Sequence, residues 1–164
     1  MAEHILKREL TLELPREQVF AFFADAKNLE LITPTHLNFK ITSPGPIGLR
    51  EGALIDYQLS LHGIPMTWRT EITEWVPPHR FVDTQLKGPY SQWIHTHSFS
   101  VLDANSTLIA DEVRYRLPLA PFGDLFHFVV ERELKKIFDY REKVVAEELQ
   151  KPDRERGQTK TRET

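Results

Sequence analysis

Residues 88–99 read GPYSQWIHTHSF, and the side chains of this run decide how the rest of the chain is arranged. Gly88 and Pro89 punctuate a turn. The residues after them read as a strand, in which side chains alternate between two faces. Trp93, His95, His97 and Phe99 therefore share one face. A plain core would use Val, Ile and Leu there, and a solvent face Thr, Lys and Glu. An indole, two imidazoles and a phenyl ring suit the wall of a cavity that is apolar and still offers hydrogen bonds.

Outward from this strand the alternation continues. Residues 53–62 put Ala53, Ile55, Tyr57, Leu59 and Leu61 on one face, and 66–75 put Met66, Trp68, Thr70 and Ile72 inside. Phe81, Asp83 and Gln85 share a side in 80–86, as do Ile109, Asp111, Val113 and Tyr115 in 107–117. The short turn signals HGIP, VPPHR and DANS separate these runs, which predicts an antiparallel meander. A three-residue turn at Asp103, Ala104 and Asn105 sets His97 opposite Asp111 and His95 opposite Val113.

Toward the N-terminus, Leu6, Arg8, Leu10, Leu12 and Leu14 form one side of a half-buried strand over 4–14. Pro15 opens a helix whose apolar stripe is Val19, Phe20, Phe22 and Phe23, and NLELITP gives a second short helical turn. SPGPIGLREG at 43–52 is loop. After Pro121 the period changes. Apolar positions at 122, 126, 130, 134, 137, 144 and 145, with the stem of Arg141 among them, describe one amphipathic helix. It would run for about 26 residues, roughly 40 Å. The polar stretch 151–164 is expected to be a disordered tail, leaving one ligand-binding domain over 1–150. The fold class is α+β: a curved seven-stranded antiparallel sheet wrapped round a long C-terminal helix, with two short helices after the first strand. A sheet that curls round the helix without closing onto it leaves a pocket between them.

The totals narrow the function. The chain has 164 residues, 40% apolar and 27% charged, with a net charge of −3, which suits one globular domain and offers nucleic acid no basic field. Cysteine is absent, so disulfides, thiol nucleophiles, zinc–thiolate sites and iron–sulfur clusters are excluded. No window reaches membrane-span length and the N-terminus lacks the apolar core of a secretion signal, so a cytoplasmic protein without stable membrane insertion is expected. No phosphate-cradling glycine motif and no Gly-x-Ser-x-Gly elbow occurs, and no cofactor is expected.

The order strand, two small helices, six strands, long helix resembles the helix-grip fold of the START-like superfamily, which includes Bet v 1-like allergens, polyketide cyclases and coenzyme-Q-binding proteins. The segments FVDTQLKGPYSQWIHTHSF, DEVRYRLPLAPFGDL and IFDYR are similar to its bacterial polyketide cyclase/dehydrase-like branch, and the resemblance spans 4–149. It implies an apolar or amphipathic small molecule (a lipid, a quinone or a polyketide-like compound) held between sheet and helix.

On that expectation the ligand-binding candidates are Tyr57, Trp68, Asp83, Gln85, Trp93, His95, His97, Tyr115, Phe126 and Val130. The loops Pro44–Gly52 and Lys87–Tyr90 are candidate entrances. The catalytic candidates are His95, His97 and Asp111. A His–Asp pair orients a catalytic imidazole or satisfies a buried one, and the sequence leaves both readings open. A cyclase or dehydratase is therefore the alternative to a binder, and a non-catalytic interaction module is the third reading. His-x-His presents two imidazoles to one side, with Asp111 as a third ligand. No further His falls on that face and Cys is absent, so no metal site is expected. Phe128 and Val129 lie partly off the inner helix stripe, and His127 reads as a surface residue. The sequence names no ligand and sets no oligomeric state.

Overall fold

Each strand alternates because only one of its faces is buried. The computed structural model describes residues 2–61, 63–118, 125 and 127–151. Seven strands, β1 (His4–Leu12), β2 (Lys40–Ile41), β3 (Leu54–Leu61), β4 (Ile64–Val76), β5 (Arg80–Lys87), β6 (Gln92–Asp103) and β7 (Ser106–Arg116), form one antiparallel sheet. Their spatial order is β1-β7-β6-β5-β4-β3-β2. The helices are α1 (Arg16–Phe23), α2 (Asn28–Leu31) and the long α3 (His127–Gln150). This is the helix-grip arrangement. Apart from Lys151, the expected tail lies outside the described residues, and so does Phe126. Among the described residues no helix is long and apolar enough to cross a membrane.

β1 and β2 stand at opposite edges of the sheet, so the chain between them must cross it. α1 and α2 lie in that crossing. α1 packs its aromatic stripe against β6, where Phe20 and Phe23 each meet the Phe99 ring at 5.3 Å. Pro15 is the residue that caps this helix rather than its first helical position, and its carbonyl accepts the Val19 N–H at 3.2 Å. Gly63, at φ 80°, supplies the left-handed backbone that turns β3 into β4. Two register irregularities in β4, at Arg69/Thr70 and Ile72/Glu74, bend that strand.

The register that matters is the expected one: His97 pairs with Asp111 and His95 with Val113. The route to it differs from a three-residue loop. Asp103 pairs with Ser106 across a two-residue turn, and an irregularity between Val101 and Asp103 restores the same offset. α3 spans 24 residues and buries Leu134, Phe138, Val145 and Leu149. The buried stripe therefore runs through 138 rather than 137, and Ile137 and Val144 are only partly buried.

The core is not continuous. One apolar cluster gathers Leu12, Phe81, Phe99, Ile109, Val145 and Leu149 with the α1 aromatics. A second gathers Leu6, Val113, Tyr115, Leu117, Leu134 and Phe138. Between them each element places a polar residue at the same level: Arg8 on β1, Asp111 on β7, His95 and His97 on β6, Asp83 on β5 and Arg141 on α3. A polar belt thus crosses the core from sheet to helix. Phe99, 2% exposed, anchors one side of it. Phe99→Ala should cost about 3–5 kcal/mol, read by urea unfolding. Leu102→Ala, at a side chain 55% exposed, should stay within about 0.5 kcal/mol.

Candidate functional site

Cross-strand pairing builds the belt. Asp83 is the β5 partner of His95, Asp111 is the β7 partner of His97, and Arg8 is the β1 partner of Asp111. The hydrogen bonds run diagonally across this lattice. His95 Nε2–H donates to Asp111 Oδ1 at 2.9 Å, and His97 Nε2–H donates to Asp83 Oδ2 at 2.7 Å. The direct pairs are also close, with His97 Nδ1 2.9 Å from Asp111 Oδ1 and His95 Nδ1 3.6 Å from Asp83 Oδ2. The two imidazoles lie against each other with centroids 3.7 Å apart, and Phe81 stacks on the outer face of His97 at 4.2 Å.

Arg141 closes the belt from the helix. Its Nη2 lies 3.2 Å from His97 Nδ1 and 3.6 Å from Asp111 Oδ1, and the guanidinium carbon sits 5.3 Å from the Phe23 ring centre. The sequence reading counted only the aliphatic stem of Arg141 as part of the apolar stripe. The signal for its head was an arginine at an inward helix position level with an inward aspartate. A guanidinium keeps its charge when buried, so such a residue needs an anion in front of it.

The two imidazoles differ in how firmly they hold a proton. Beside the two imidazoles Asp83 and Asp111 face one guanidinium, that of Arg141, while Arg8 is taken up by Asp139 at 2.6 Å and Glu142 at 3.9 Å. Burial pushes His97 down, but the Asp111 and Asp83 carboxylates outweigh burial and hold its pKa above the ordinary 6.5. Burial and the neighbouring His97 together keep His95 below 6.5 against the same carboxylates. Burial also pushes the Asp111 carboxyl up, yet Arg141 and the two imidazoles outweigh it and hold it well below the usual carboxylate range. In Asp83 burial is outweighed in the same way by His95, His97 and Arg141. His97 therefore holds a proton more firmly than His95 does. His95 is neutral, with Nε2–H directed at Asp111 and Nδ1 left as an acceptor.

Among the described residues two cavities that reach His95 adjoin the belt, and a cleft of only about 10 Å³ lies beside Arg8, Asp111 and Arg141. The smaller of the two cavities, about 90 Å³, is lined by Asp83, His95, His97, Arg141 and the apolar side chains of Phe23, Ile55 and Phe81. The larger, about 150 Å³, has Phe39, Trp68, Tyr90, Trp93 and Phe138 as aromatic walls. Ile32, His95 and Arg141 border both. Trp68 and Trp93 meet edge to face at 5.5 Å, and Tyr57 stacks on Trp68 at 5.7 Å. Trp68 is 7% exposed, and its buried Nε1–H has no acceptor among the described residues.

The candidates named from the sequence separate into groups. Tyr57, Asp83, His95 and His97 line the smaller cavity, and Trp68, Trp93 and again His95 line the larger. Asp111 stands behind the imidazoles. Gln85 lines neither cavity: its amide N–H donates to the Tyr90 carbonyl at 2.7 Å, so it holds the wall loop in place. The Tyr115 hydroxyl meets His127 Nε2 at 3.1 Å, and Val130 packs on the second apolar cluster. Neither borders the cavities. His127 is half-buried and stacks on His4 at 3.6 Å, which corrects its reading as a plain surface residue. Both expected entrance loops contribute, Leu49 from one and Pro89 and Tyr90 from the other. Phe128 is 68% exposed and touches neither cavity.

Comparison with known proteins follows the same lines. A family model described as polyketide cyclase / dehydrase and lipid transport matches residues 12–155. No curated protein matches the sequence at a significant level. Among solved structures, the Zhui aromatase/cyclase from Streptomyces sp. R1128 superposes with a TM-score of 0.73 at 16% identity, over 90% of this chain and 94% of that one. A START superfamily protein from Mycobacterium smegmatis gives 0.64 at 12% identity, over 87% and 97%. A norcoclaurine synthase point mutant from Thalictrum flavum gives 0.65 at 15% identity, over 89% and 96%. At these identities the likeness is one of fold.

The proton on the histidine pair makes stability depend on pH from both sides. His97, with its pKa raised, contributes stability that is complete below about 6.5 and is lost as pH rises through its folded value. His95, with its pKa lowered, contributes above about 6.5 and loses that contribution as pH falls through its folded value. The expected profile is a maximum around neutral pH with a decline on either side. Imidazole NMR should show one of the two titrating above 6.5 and the other below it. In Asp111→Asn the upper titration should move down.

Proposed function

Because the chain belongs to the polyketide cyclase/dehydrase and lipid transport family, we propose that it binds an apolar or aromatic small molecule of the lipid, quinone or polyketide-like class between sheet and α3. The observation behind this reading is the pair of adjoining chambers, aromatic on one side and polar at their common border. The larger has the size of an apolar cavity that takes up a single benzene ring, roughly 150 Å³. A longer ligand would extend past Ile32, His95 and Arg141 into the smaller one. Burying about 300 Å² of ligand would contribute on the order of 7 kcal/mol before association costs, so apolar burial alone gives micromolar binding at best.

A second reading has one observation in its favour. His95 borders both chambers, is oriented by Asp111 and is neutral near pH 7, the arrangement a general base needs. A cyclase or dehydratase would use it to take a proton from an acidic C–H of a polycarbonyl substrate.

Native mass spectrometry of freshly purified protein, with a melting-temperature panel of a naphthoquinone, a fatty acid and a fused-ring phenol, tests the binding reading. The expected result is a stoichiometric passenger or an upward shift with at least one compound. Trp68→Ala should weaken that binding about tenfold or more, the loss of an aromatic wall being worth at least about 1.4 kcal/mol. A protein that carries nothing and responds to none of the three would overturn the proposal. Turnover of a polycarbonyl substrate, lost in His95→Gln while binding persists, would establish the enzyme reading instead.

A further inference from the structure

We infer that Asp83, His95 and His97 form a site for one first-row divalent cation such as Zn²⁺ or Co²⁺, open on one side to the smaller chamber. A carboxylate oxygen and two imidazole nitrogens from these residues lie within 4.8 Å of one another. Donors that share one cation at bond lengths of about 2.0–2.2 Å sit roughly 3 Å apart. Asp83 Oδ2 is 2.7 Å from His97 Nε2 and 3.6 Å from His95 Nδ1, so small side-chain rotations centre a cation among the three. The backbone already fixes the set. His95 and His97 share a face of β6, and Asp83 is the cross-strand partner of His95.

A second feature, separate from those three atoms, points the same way. The nitrogens that turn away from Asp83, His95 Nε2 and His97 Nδ1, each lie 2.9 Å from the same Asp111 oxygen. A carboxylate behind a metal-bound imidazole fixes its tautomer and orientation and raises its basicity. Here one carboxylate stands behind both rings. Arg141 contacts that far side, at His97 Nδ1 and Asp111, and not the three donor atoms. By sequence alone, Asp111 is the third ligand of the His-x-His pair. The sheet register instead puts Asp83 in that place and Asp111 behind it.

Charge sets what else the site accepts. With neutral imidazoles, and with Arg8 taken up by Asp139 and Glu142, Asp83, Asp111 and Arg141 leave one negative charge. A divalent cation converts this to one positive charge, which an anionic oxygen ligand entering from the chamber would neutralise. Two imidazole nitrogens and one carboxylate oxygen with open positions suit Zn²⁺, Co²⁺ or Fe²⁺ better than Ca²⁺ or Mg²⁺, which prefer all-oxygen shells.

The test uses the full chain, stripped with a chelator and titrated with Co²⁺ and, by calorimetry, with Zn²⁺. One equivalent should bind, and Co²⁺ should broaden the imidazole NMR signals of His95 and His97 while sparing those of His36 and His79. Asp111→Asn should weaken uptake by about 10–100-fold, and Asp83→Asn, which removes a ligand, by more. If either variant fails to fold, the broadening pattern of the unmodified protein decides alone. Absence of one-equivalent uptake, or uptake that leaves the His95 and His97 signals sharp, overturns the inference. The metal titration needs no organic ligand, so its failure and that of the ligand panel are read independently.

Discussion

The structure turns on a set of charges that have been taken out of water together. Asp83, Asp111, Arg141 and the two imidazoles occupy a single level of the core, where the effective cost of burying an ion is several kcal/mol each. Their mutual contacts at 2.7–3.6 Å offset that cost only while every member is present. Removing one partner would leave its neighbour buried and unpaired, which costs more than the pair is worth in stability. Register is therefore held tightly at this level, since sliding β5, β6 or β7 by one residue would send these side chains to the opposite face. The two apolar clusters on either side then have fixed neighbours.

A core designed only for stability would have Leu or Ile at 83, 95, 97, 111 and 141, and such replacements of buried ionic clusters are often neutral or stabilising. The belt's position offers a reason for keeping the charges. It borders both chambers, so a ligand entering from the aromatic side meets an imidazole and a guanidinium at the far end. The aromatic walls supply area, and the belt supplies polarity and orientation.

Much of this was legible in the sequence because strand side chains have a period of two. Trp93, His95, His97 and Phe99 had to share a face, and the expected β7 partners stand across from them, although a two-residue turn and an irregularity between Val101 and Asp103 set that offset and not a three-residue turn. The strand β2 was not legible, since two residues are too few for any period to show. Arg141 was half-legible: its place on the helix stripe was read correctly, while its partner lay across a sheet–helix gap that no local pattern reports. Gln85 pointed inward by alternation, but the Tyr90 carbonyl, five residues on in the β5–β6 connection, captured its amide, a competition decided by the loop's own geometry. The Trp93 and Trp68 faces needed only alternation; the missing acceptor at Trp68 needed coordinates.

The claim that the belt is kept for the ligand, with no gain in stability over an apolar core of the same register, is tested by replacing it whole. In a variant carrying Asp83→Leu, His95→Leu, His97→Leu, Asp111→Leu and Arg141→Leu, urea unfolding and binding of a naphthoquinone or the natural passenger would be measured together. The account predicts a folded protein of similar or greater stability whose binding is lost or weakened by an order of magnitude or more. A variant that folds and binds as the unmodified protein does would contradict it, as would one that fails to fold at all.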